Sequence, residues 1–223
     1  MTEVNRRMGV IFDLDGVLVD TGWAHRQAWY DLAEKEGFRM SDELFTSTFG
    51  MQNYQILPML IGRDLACEEI DRLSDWKEQQ YRDLMAEKLA LPPGADRLLG
   101  ELKDAGFLLA IGSSAPRANL DLVLERVQIR DYFDAFVTGE EVAKSKPSPE
   151  TFLKAAEKLG LPPECCVVVE DAVQGVEAAK AAGMPVVAVT TTRDRADLQA
   201  ADMIVDSLSE LKAKDFTRLL EGS

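Results

Sequence analysis

From residue 95 onward, short apolar runs alternate with helix-like segments, and this alternation constrains the fold more than any other feature of the sequence. The pattern predicts strands over 107–111, 135–138, 166–169, 186–189 and 203–205, and helices over 95–105, 117–127, 151–159 and 172–182. Strands that alternate with helices form a parallel sheet with helices on both faces. The sequence therefore predicts an α/β protein with a doubly wound, Rossmann-like parallel sheet.

The segment from residue 22 to about residue 90 differs, because it contains helix-like stretches and no convincing strand. A helix is predicted over 22–36, shorter pieces over 41–61, and a long polar helix from 67 to about 90. The turn-rich stretch 91–94, LPPG, then leads back to the alternating pattern. We therefore predict a core formed by residues 1–20 and 92–223, and a helical cap formed by residues 21–91.

Residues 9–21, GVIFDLDGVLVDT, contain an apolar strand that stops at Asp13. Side chains alternate along a strand, so Asp13 and Asp15 are expected on the same side, with Leu14 on the other. In open parallel sheets ligands bind beyond the carboxyl ends of the strands. Two acids held close together there favour a bound cation. A solvated turn is the alternative interpretation, but the apolar residues 17–19 that follow are not needed in such a turn.

Four predicted strand ends carry charged or hydroxyl side chains. They are Asp13 and Asp15, then Ser113, then Lys146, and then Glu170 and Asp171. Each has an ordinary structural explanation: Ser113 as a helix cap, Lys146 as a solvated loop residue, and Glu170 with its neighbour as another cap. Their coincidence at the ends of four strands of one sheet favours a common site.

These residues suggest specific chemical roles. Asp13 is a candidate nucleophile, since carboxylates form acyl-phosphate intermediates. Asp15 is a candidate general acid and base. Ser113 and backbone N–H groups near the following helix are suited to holding phosphate oxygens, and Lys146 to offsetting their charge. The acidic pair at 170–171 is suited to holding Mg²⁺ against Asp13.

In chain order, these four positions resemble the four motifs of the haloacid dehalogenase superfamily of phosphoryl-transfer enzymes, of which the first is DxDGxxxDT. The resemblance implies that Asp13 is phosphorylated and that Asp15 is the acid and base and lends its backbone carbonyl to Mg²⁺. It also implies that Asp171 completes the metal site with help from Glu170. The helical insert is similar to the C1-type cap of this superfamily. Asp15 favours phosphate esters, because family dehalogenases lack this acid and phosphonate-cleaving members have Ala there.

The start of the chain is most similar to the beta-phosphoglucomutase-like subfamily, including His25, the only histidine. Family members use this histidine at the mouth of the site or in the cap hinge, and a half-buried helix residue is the alternative. Asp20 and Thr21 are then expected in the hinge that lets the cap close.

One departure from the mutases lies in the cap loop 49–54, which reads FGMQNY and lacks the arginine that grips the second phosphate in those enzymes. The lost charge-assisted contact corresponds to roughly 1.5–3 kcal/mol. Lys77 aligns loosely with a substrate-facing cap lysine, although a solvated helix lysine is the ordinary interpretation. Asn53 in the loop and Ser114 beside the second motif complete the expected substrate contacts.

The net charge of the chain limits its possible partners, and its cysteine content indicates a cellular compartment. With 39 Asp and Glu against 25 Lys and Arg, the formal net charge is −14, which argues against nucleic acid or an anionic membrane surface as partner. Three cysteines, two of them adjacent, fit a reducing compartment. No apolar segment before the first strand has the length of a signal peptide core, and no later run is long enough to span a membrane. We expect a cytoplasmic protein, with a monomer as the working expectation and the oligomeric state left open.

The resulting hypothesis is a Mg²⁺-dependent phosphohydrolase acting on a small phosphorylated metabolite, such as a sugar phosphate, through an aspartyl phosphate. Three alternatives remain: a beta-phosphoglucomutase-type sugar-phosphate mutase, an inorganic pyrophosphatase, and a non-catalytic binding protein that keeps the fold. The last is disfavoured because all the acids of the motifs are present.

Overall fold

The computed structural model describes residues 7–48, 51–86 and 88–222. Its strands are β1 (Gly9–Phe12), β2 (Leu108–Gly112), β3 (Ala135–Val137), β4 (Cys166–Glu170), β5 (Val186–Val189) and β6 (Met203–Val205). In the described part of the chain these six strands form one parallel sheet in the order β3-β2-β1-β4-β5-β6. The predicted α/β class with a Rossmann-like parallel sheet is confirmed, and the strand bounds differ from the predicted ones by at most one residue.

The helices in the described residues are α1 (Gly22–Glu36), α2 (Asp42–Thr48), α3 (Asn53–Ile61), α4 (Cys67–Met85), α5 (Ala95–Asp104), α6 (Arg117–Val127), α7 (Glu150–Leu159), α8 (Val173–Ala181) and α9 (Ala213–Glu221). The prediction that the long helix continues to about residue 90 is wrong. It ends at Met85, because Leu89 and Leu91 pack against the core of the sheet and the chain must leave the helix axis to bring them there. Helix α9 was not predicted from the sequence.

The sheet is buried on both faces, as the doubly wound prediction requires. Val10 and Phe12 of β1 belong to one apolar cluster, which includes residues of α5, α6 and α9. Ile11 belongs to the opposite cluster, which includes residues of α7 and α8. Such near-continuous apolar strands are typical of parallel sheets, because their crossover helices cover both faces.

Helices α1 to α4, residues 22–85, form a helical segment with apolar clusters of its own. Trp29 and Leu32 of α1 pack with Leu57 of α3 and Leu73 of α4. In a second cluster, Ala24 and Ala28 of α1 pack with Tyr81 and Met85 of α4. Within the described residues this segment contains no strand. The predicted domain boundaries at residues 20 and 92 stay a prediction.

The helical segment lies against the carboxyl edge of the sheet and is joined to it by side-chain hydrogen bonds. The Gln52 amide donates to the Gly139 carbonyl over 3.0 Å, and the Ser145 hydroxyl donates to Gln55 Oε1 over 2.6 Å. The strand order reverses between β1 and β4, which is where open α/β sheets bind ligands. Within the described ranges, no helix has both the length and the apolar character needed to cross a bilayer.

Candidate active site

A cavity of about 380 Å³ separates the carboxyl edge of the sheet from the helical segment. It brings together all of the predicted strand-end residues and all of the predicted substrate contacts. These are Asp13, Asp15, Ser113, Lys146, Glu170 and Asp171 from the sheet part, with Ser114, and His25, Asn53 and Lys77 from the helical segment. The two predicted hinge residues lie outside the cavity lining: Asp20 is exposed and Thr21 is fully buried.

Lys146 joins two of the acids at the centre of this cavity. Its Nζ donates to Asp13 Oδ1 over 2.7 Å and to Glu170 Oε1 over 2.6 Å. Only 3% of Lys146 is exposed, so the interpretation as a solvated loop lysine is wrong. Burial lowers the pKa of its ammonium, but the charges of Asp13 and Glu170 outweigh burial and hold that pKa above its usual value. The ammonium is therefore a permanent positive charge beside Asp13.

Asp13, Glu170 and Asp171 form a buried acidic cluster, with one oxygen of each lying within 4.8 Å of the others. Burial and the neighbouring acids raise the pKa of Asp13 to about 7, although Lys146 lowers it. The same causes raise the pKa of Asp171 well above its usual value. Asp171 Oδ1 is buried without a hydrogen-bond partner in the described part of the chain. A divalent cation would supply that partner and favour the ionised form of the acids, so the residues fit a metal with oxygen ligands.

The two carboxylates at the carboxyl end of β4 are fixed by the backbone and by close glycines. Glu170 Oε2 accepts hydrogen bonds from the backbone N–H groups of Asp171 and Ala172, each over 2.8 Å. A Cβ at Gly175 would overlap the Glu170 carboxylate, and a Cβ at Gly16 would overlap that of Asp171. Gly16 also has a φ of +82°, which L side chains rarely adopt. Glycine at these two positions makes room for the acids.

Asp15 is held by residues of the helical segment and of the chain that enters it. Its Oδ1 accepts a hydrogen bond from the Thr21 hydroxyl over 2.7 Å and from the Tyr81 hydroxyl over 3.4 Å. His25 Nε2 lies 3.5 Å from the same oxygen. Burial raises the pKa of Asp15, but His25 and the Thr21 hydroxyl outweigh burial and hold the pKa below its usual value. The hinge role of Thr21 stays a prediction, while its contact with Asp15 is an observation.

His25 connects Asp15 to a buried ion pair in α4. Its ring stacks on that of Tyr81 with a centroid distance of 4.0 Å. Its Nδ1 lies 2.8 Å from Lys77 Nζ, which also donates to Glu78 Oε1 over 2.9 Å. Lys77 is only 2% exposed, so the interpretation as a solvated helix lysine is wrong. Asn53 donates to the same Glu78 oxygen over 2.8 Å, which places this predicted residue in the network.

The two serines after β2 differ in their bonding. Ser113 Oγ accepts a hydrogen bond from the Ala115 N–H over 3.0 Å, within the turn that precedes α6. Ser113 therefore organises the turn rather than capping the first turn of α6, which begins at Arg117. Ser114 Oγ is buried and has no hydrogen-bond partner among the described residues. Both serines line the cavity, where a ligand oxygen could bind them.

Residues 8–183 match the family model described as haloacid dehalogenase-like hydrolase. The chain belongs to this family. It is 35% identical to the phosphorylated carbohydrates phosphatase of Thermotoga maritima, with 78% of this chain and 81% of that protein aligned. It is 31% identical to hexitol phosphatase B of Escherichia coli K12, over 96% and 99% of the two chains. Among solved structures it is similar to a beta-phosphoglucomutase from Clostridium difficile, with a TM-score of 0.87, 28% identity, and coverage of 97% and 98%.

These findings confirm the predicted superfamily and the beta-phosphoglucomutase-like subfamily. They also confirm the predicted enzyme class, a hydrolase of the haloacid dehalogenase type that acts on phosphate esters. The assignment of individual residues to catalytic steps stays a prediction.

The cap loop of this hydrolase is described only in part, since Phe49 and Gly50 lie outside the described residues. The remaining loop residues, 51–54, all line the cavity, and none of them is basic. Among the described residues that line the cavity, the only Lys or Arg side chains are Lys77 and Lys146.

Three residues of this hydrolase contribute to the site and were not found from the sequence. Thr192 donates a hydroxyl hydrogen bond to Asp171 Oδ2, and Tyr81 and Glu78 belong to the networks described above. Thr192 follows β5, so the strand-end rule used for the other strands could have found it. Glu78 had no such signal, because an acid on a polar helix is usually solvated.

Proposed function

We propose that this hydrolase releases phosphate from a small phosphorylated sugar or polyol, using Mg²⁺ and an aspartyl phosphate formed on Asp13. The observation that carries the proposal is the convergence of Asp13, Glu170 and Asp171 with Lys146 at the carboxyl edge of the sheet. The similarity to phosphatases that are named for phosphorylated carbohydrates and hexitols supports the substrate class.

In the proposed first step, an Asp13 oxygen attacks phosphorus and the ester oxygen of the leaving alcohol departs. Lys146 neutralises part of the charge on the transferring phosphoryl group, and the hydroxyls of Ser113 and Ser114 donate to its oxygens. Positioning and charge stabilisation supply most of the acceleration in phosphoryl transfer. The ionised Asp13 that attack requires is favoured by Lys146 on one side and by a bound cation on the other.

Asp15 is proposed to give a proton to the leaving alcohol and then to take one from the water that hydrolyses the aspartyl phosphate. Its depressed pKa favours the ionised form in the absence of ligand, which suits the second step. The negative charge of an approaching phosphate ester raises that pKa and favours the protonated form that the first step needs.

Mg²⁺ is proposed to be held by Asp13, Asp171 and the backbone carbonyl of Asp15, with Glu170 assisting. When bound, it would supply positive charge to the phosphate oxygens and shield them from the attacking carboxylate. The unpartnered Asp171 Oδ1 and the raised pKa of two of the acids support this assignment.

The helical segment is proposed to act as a cap that closes over the substrate, with Asp20 and Thr21 in its hinge. Closure would exclude bulk water and bring His25, Asn53 and Lys77 to the site. The hydrogen bonds of Gln52 and Gln55 to the sheet part support a closed arrangement. The cytoplasmic location stays a prediction from cysteine usage.

A sugar-phosphate mutase is the second candidate, because the chain is similar to a solved beta-phosphoglucomutase. The two functions differ in the fate of beta-glucose 1-phosphate, which a mutase converts to glucose 6-phosphate and a phosphatase converts to glucose and phosphate. We expect free phosphate, because the described cavity lining offers no unpaired cation for a second phosphate.

The test is turnover of 4-nitrophenyl phosphate by the parent protein and by Asp13→Asn, with Mg²⁺ and with EDTA. We expect EDTA to abolish turnover, and the substitution to lower it by at least about 10³-fold, because the nucleophile is lost. Asp131→Asn, at an exposed position outside the cavity lining, serves as the matched control and should leave turnover unchanged. Unimpaired turnover by Asp13→Asn would refute the proposed mechanism.

A further inference from the structure

The part of the cavity formed by the helical segment has its own charge pattern. We define the distal wall as the cavity-lining residues Trp29, Asn53, Asp71, Ser74, Lys77 and Glu78. We propose that the distal wall selects leaving groups that are uncharged and rich in hydroxyls, and rejects those that carry a second anionic group. This inference rests on the proposed phosphatase function and specifies the substrate class of the same site.

A second phosphate or a carboxylate on the substrate would need a positively charged side chain in the cavity lining. Lys77 and Lys146 are the only Lys or Arg side chains among the described residues of the lining. Lys146 is bound to Asp13 and Glu170, and Lys77 is bound to Glu78 at 2.9 Å. Turning either ammonium toward a new anion would leave a buried carboxylate without its partner, which is costly.

The negatively charged carboxylate of Glu78 is fixed in place by hydrogen bonds. Its Oε1 accepts hydrogen bonds from Lys77 and Asn53, and its Oε2 accepts one from Asn119 over 2.6 Å. Asn119 belongs to α6, is fully buried, and accepts a hydrogen bond from Arg82 over 3.1 Å. Side chains of the helical segment and of α6 therefore fix the Glu78 carboxylate in the cavity lining.

Glu78 also remains ionised at neutral pH. Burial raises the pKa of its carboxyl, but Lys77, His25 and Asn53 outweigh burial and bring the pKa to about 2. Asp71 and Glu140 add carboxylates to the same cavity lining. Repulsion between like charges is stronger in a buried site than in water, so this lining opposes a second anionic group on the ligand.

The distal wall offers hydrogen-bonding groups that suit the hydroxyls of a sugar or polyol. Carboxylate, amide and hydroxyl groups form hydrogen bonds with sugar or polyol hydroxyls, and Glu78 Oε2 accepts only one hydrogen bond from the described residues. Ser114 Oγ, buried and without a described partner, is a further group available to a ligand hydroxyl or phosphate oxygen. The cavity volume of about 380 Å³ suits a ligand of the size of a sugar monophosphate.

The test compares two esters that have the same six-carbon chain and the same phosphate, glucitol 6-phosphate and gluconate 6-phosphate. They differ at the far end, which is a CH₂OH group in the first and a carboxylate in the second. Each is measured as a competitive inhibitor of 4-nitrophenyl phosphate hydrolysis, which gives a constant whether or not the ester is itself hydrolysed. We expect gluconate 6-phosphate to bind at least about tenfold more weakly, as like-charge repulsion in a buried site predicts.

Substitutions then connect this preference to the distal wall. Glu78→Gln removes the charge, keeps the shape and frees the Lys77 ammonium, so the ratio of the two inhibition constants should fall toward one. Asp71→Asn, at an exposed position of the wall, should lower the ratio less and keeps the test valid if Glu78→Gln does not fold. Glu125→Gln, at an exposed position outside the cavity lining, is the matched control and should keep the parent ratio.

Equal binding of the two esters by the parent protein would overturn the inference, and so would a ratio that neither wall substitution changes. Either result would leave the proposed phosphatase function intact. Failure of the parent protein to hydrolyse any phosphate ester would instead refute the proposed function, so the two failures are distinguishable.

Discussion

Replacing Lys146 by Met should destabilise the metal-free protein far more than replacing an exposed lysine that makes a similar ion pair. Lys146 is bonded to two carboxylates, and its side chain and those of both partners are at most 10% exposed. Removing one member of a buried ion pair costs about 3–5 kcal/mol in the free energy of unfolding, because the remaining charge is left without compensation. For a protein of this size that corresponds to a fall in Tm on the order of 10 °C.

Lys103→Met provides the matched control. Lys103 contacts Asp134 at 2.9 Å, but the two side chains are 32% and 36% exposed. Pairs in that environment contribute about 0–1 kcal/mol, since solvent screens the charges and the side chains lose entropy. The nitrogen–oxygen distances of the two ion pairs are similar, so the difference in stability between the two variants measures the effect of burial.

The effect of Lys146→Met should also depend on pH. The pKa of Asp13 is about 7 in the folded protein and near its ordinary value of 3.8 in the unfolded chain. The folded state therefore binds the proton more tightly, and this acid destabilises the fold increasingly as the pH rises from 3.8 toward 7. Removing Lys146 raises the folded pKa further, so the deficit of the variant should be largest above pH 7 and smaller at pH 5.5.

The measurement is thermal unfolding in EDTA at pH 8 and at pH 5.5, for the parent protein and both variants. EDTA removes bound metal, which would otherwise stabilise the folded state by mass action. A Lys146→Met protein that unfolds at the same temperature as Lys103→Met, or whose deficit is the same at both pH values, would refute the reasoning.

Two further predictions concern the acids at the carboxyl end of β4. Asp171→Asn should leave the Tm in EDTA unchanged or raised, because it removes a carboxyl whose ionised form is disfavoured by burial and by the neighbouring acids. It should also lose the Mg²⁺-dependent rise in Tm of the parent, since Mg²⁺ at a hundred times Kd adds about 2.7 kcal/mol to the parent's free energy of unfolding. An equal Mg²⁺ response in both proteins would contradict the metal assignment. Gly175→Ala should lower stability by about 1–3 kcal/mol, because its Cβ would overlap the Glu170 carboxylate. Gly100→Ala, a helical position with open space, is the control and should stabilise by about 0.5–1 kcal/mol. Chemical denaturation measures both glycine variants, and equal shifts would contradict the crowding.

The elements that could be predicted from the sequence are those with a local signal. Strands buried on both faces appear in the sequence as short continuous apolar runs. Glycines and prolines mark the turns that separate these strands from the helices between them. The strand-end rule then identified six residues that line the cavity, because the direction of a parallel strand decides which end faces the ligand. Helix α9 was missed because its apolar residues Phe216 and Leu220 are few within a charged segment, and the helix depends on packing against the sheet.

The sequence alone thus determined the class of fold, the polar residues at the strand ends and the family. Only the tertiary structure decided that Lys146, 133 positions from Asp13 in the chain, is buried against it rather than solvated. It also decided that Lys77 and Glu78 form a buried pair on the cavity wall. The physical reason is that the pattern of apolar and polar residues along the sequence indicates only which face of its own strand or helix a residue occupies. The burial and charge state of a polar side chain depend on distant segments that pack around it.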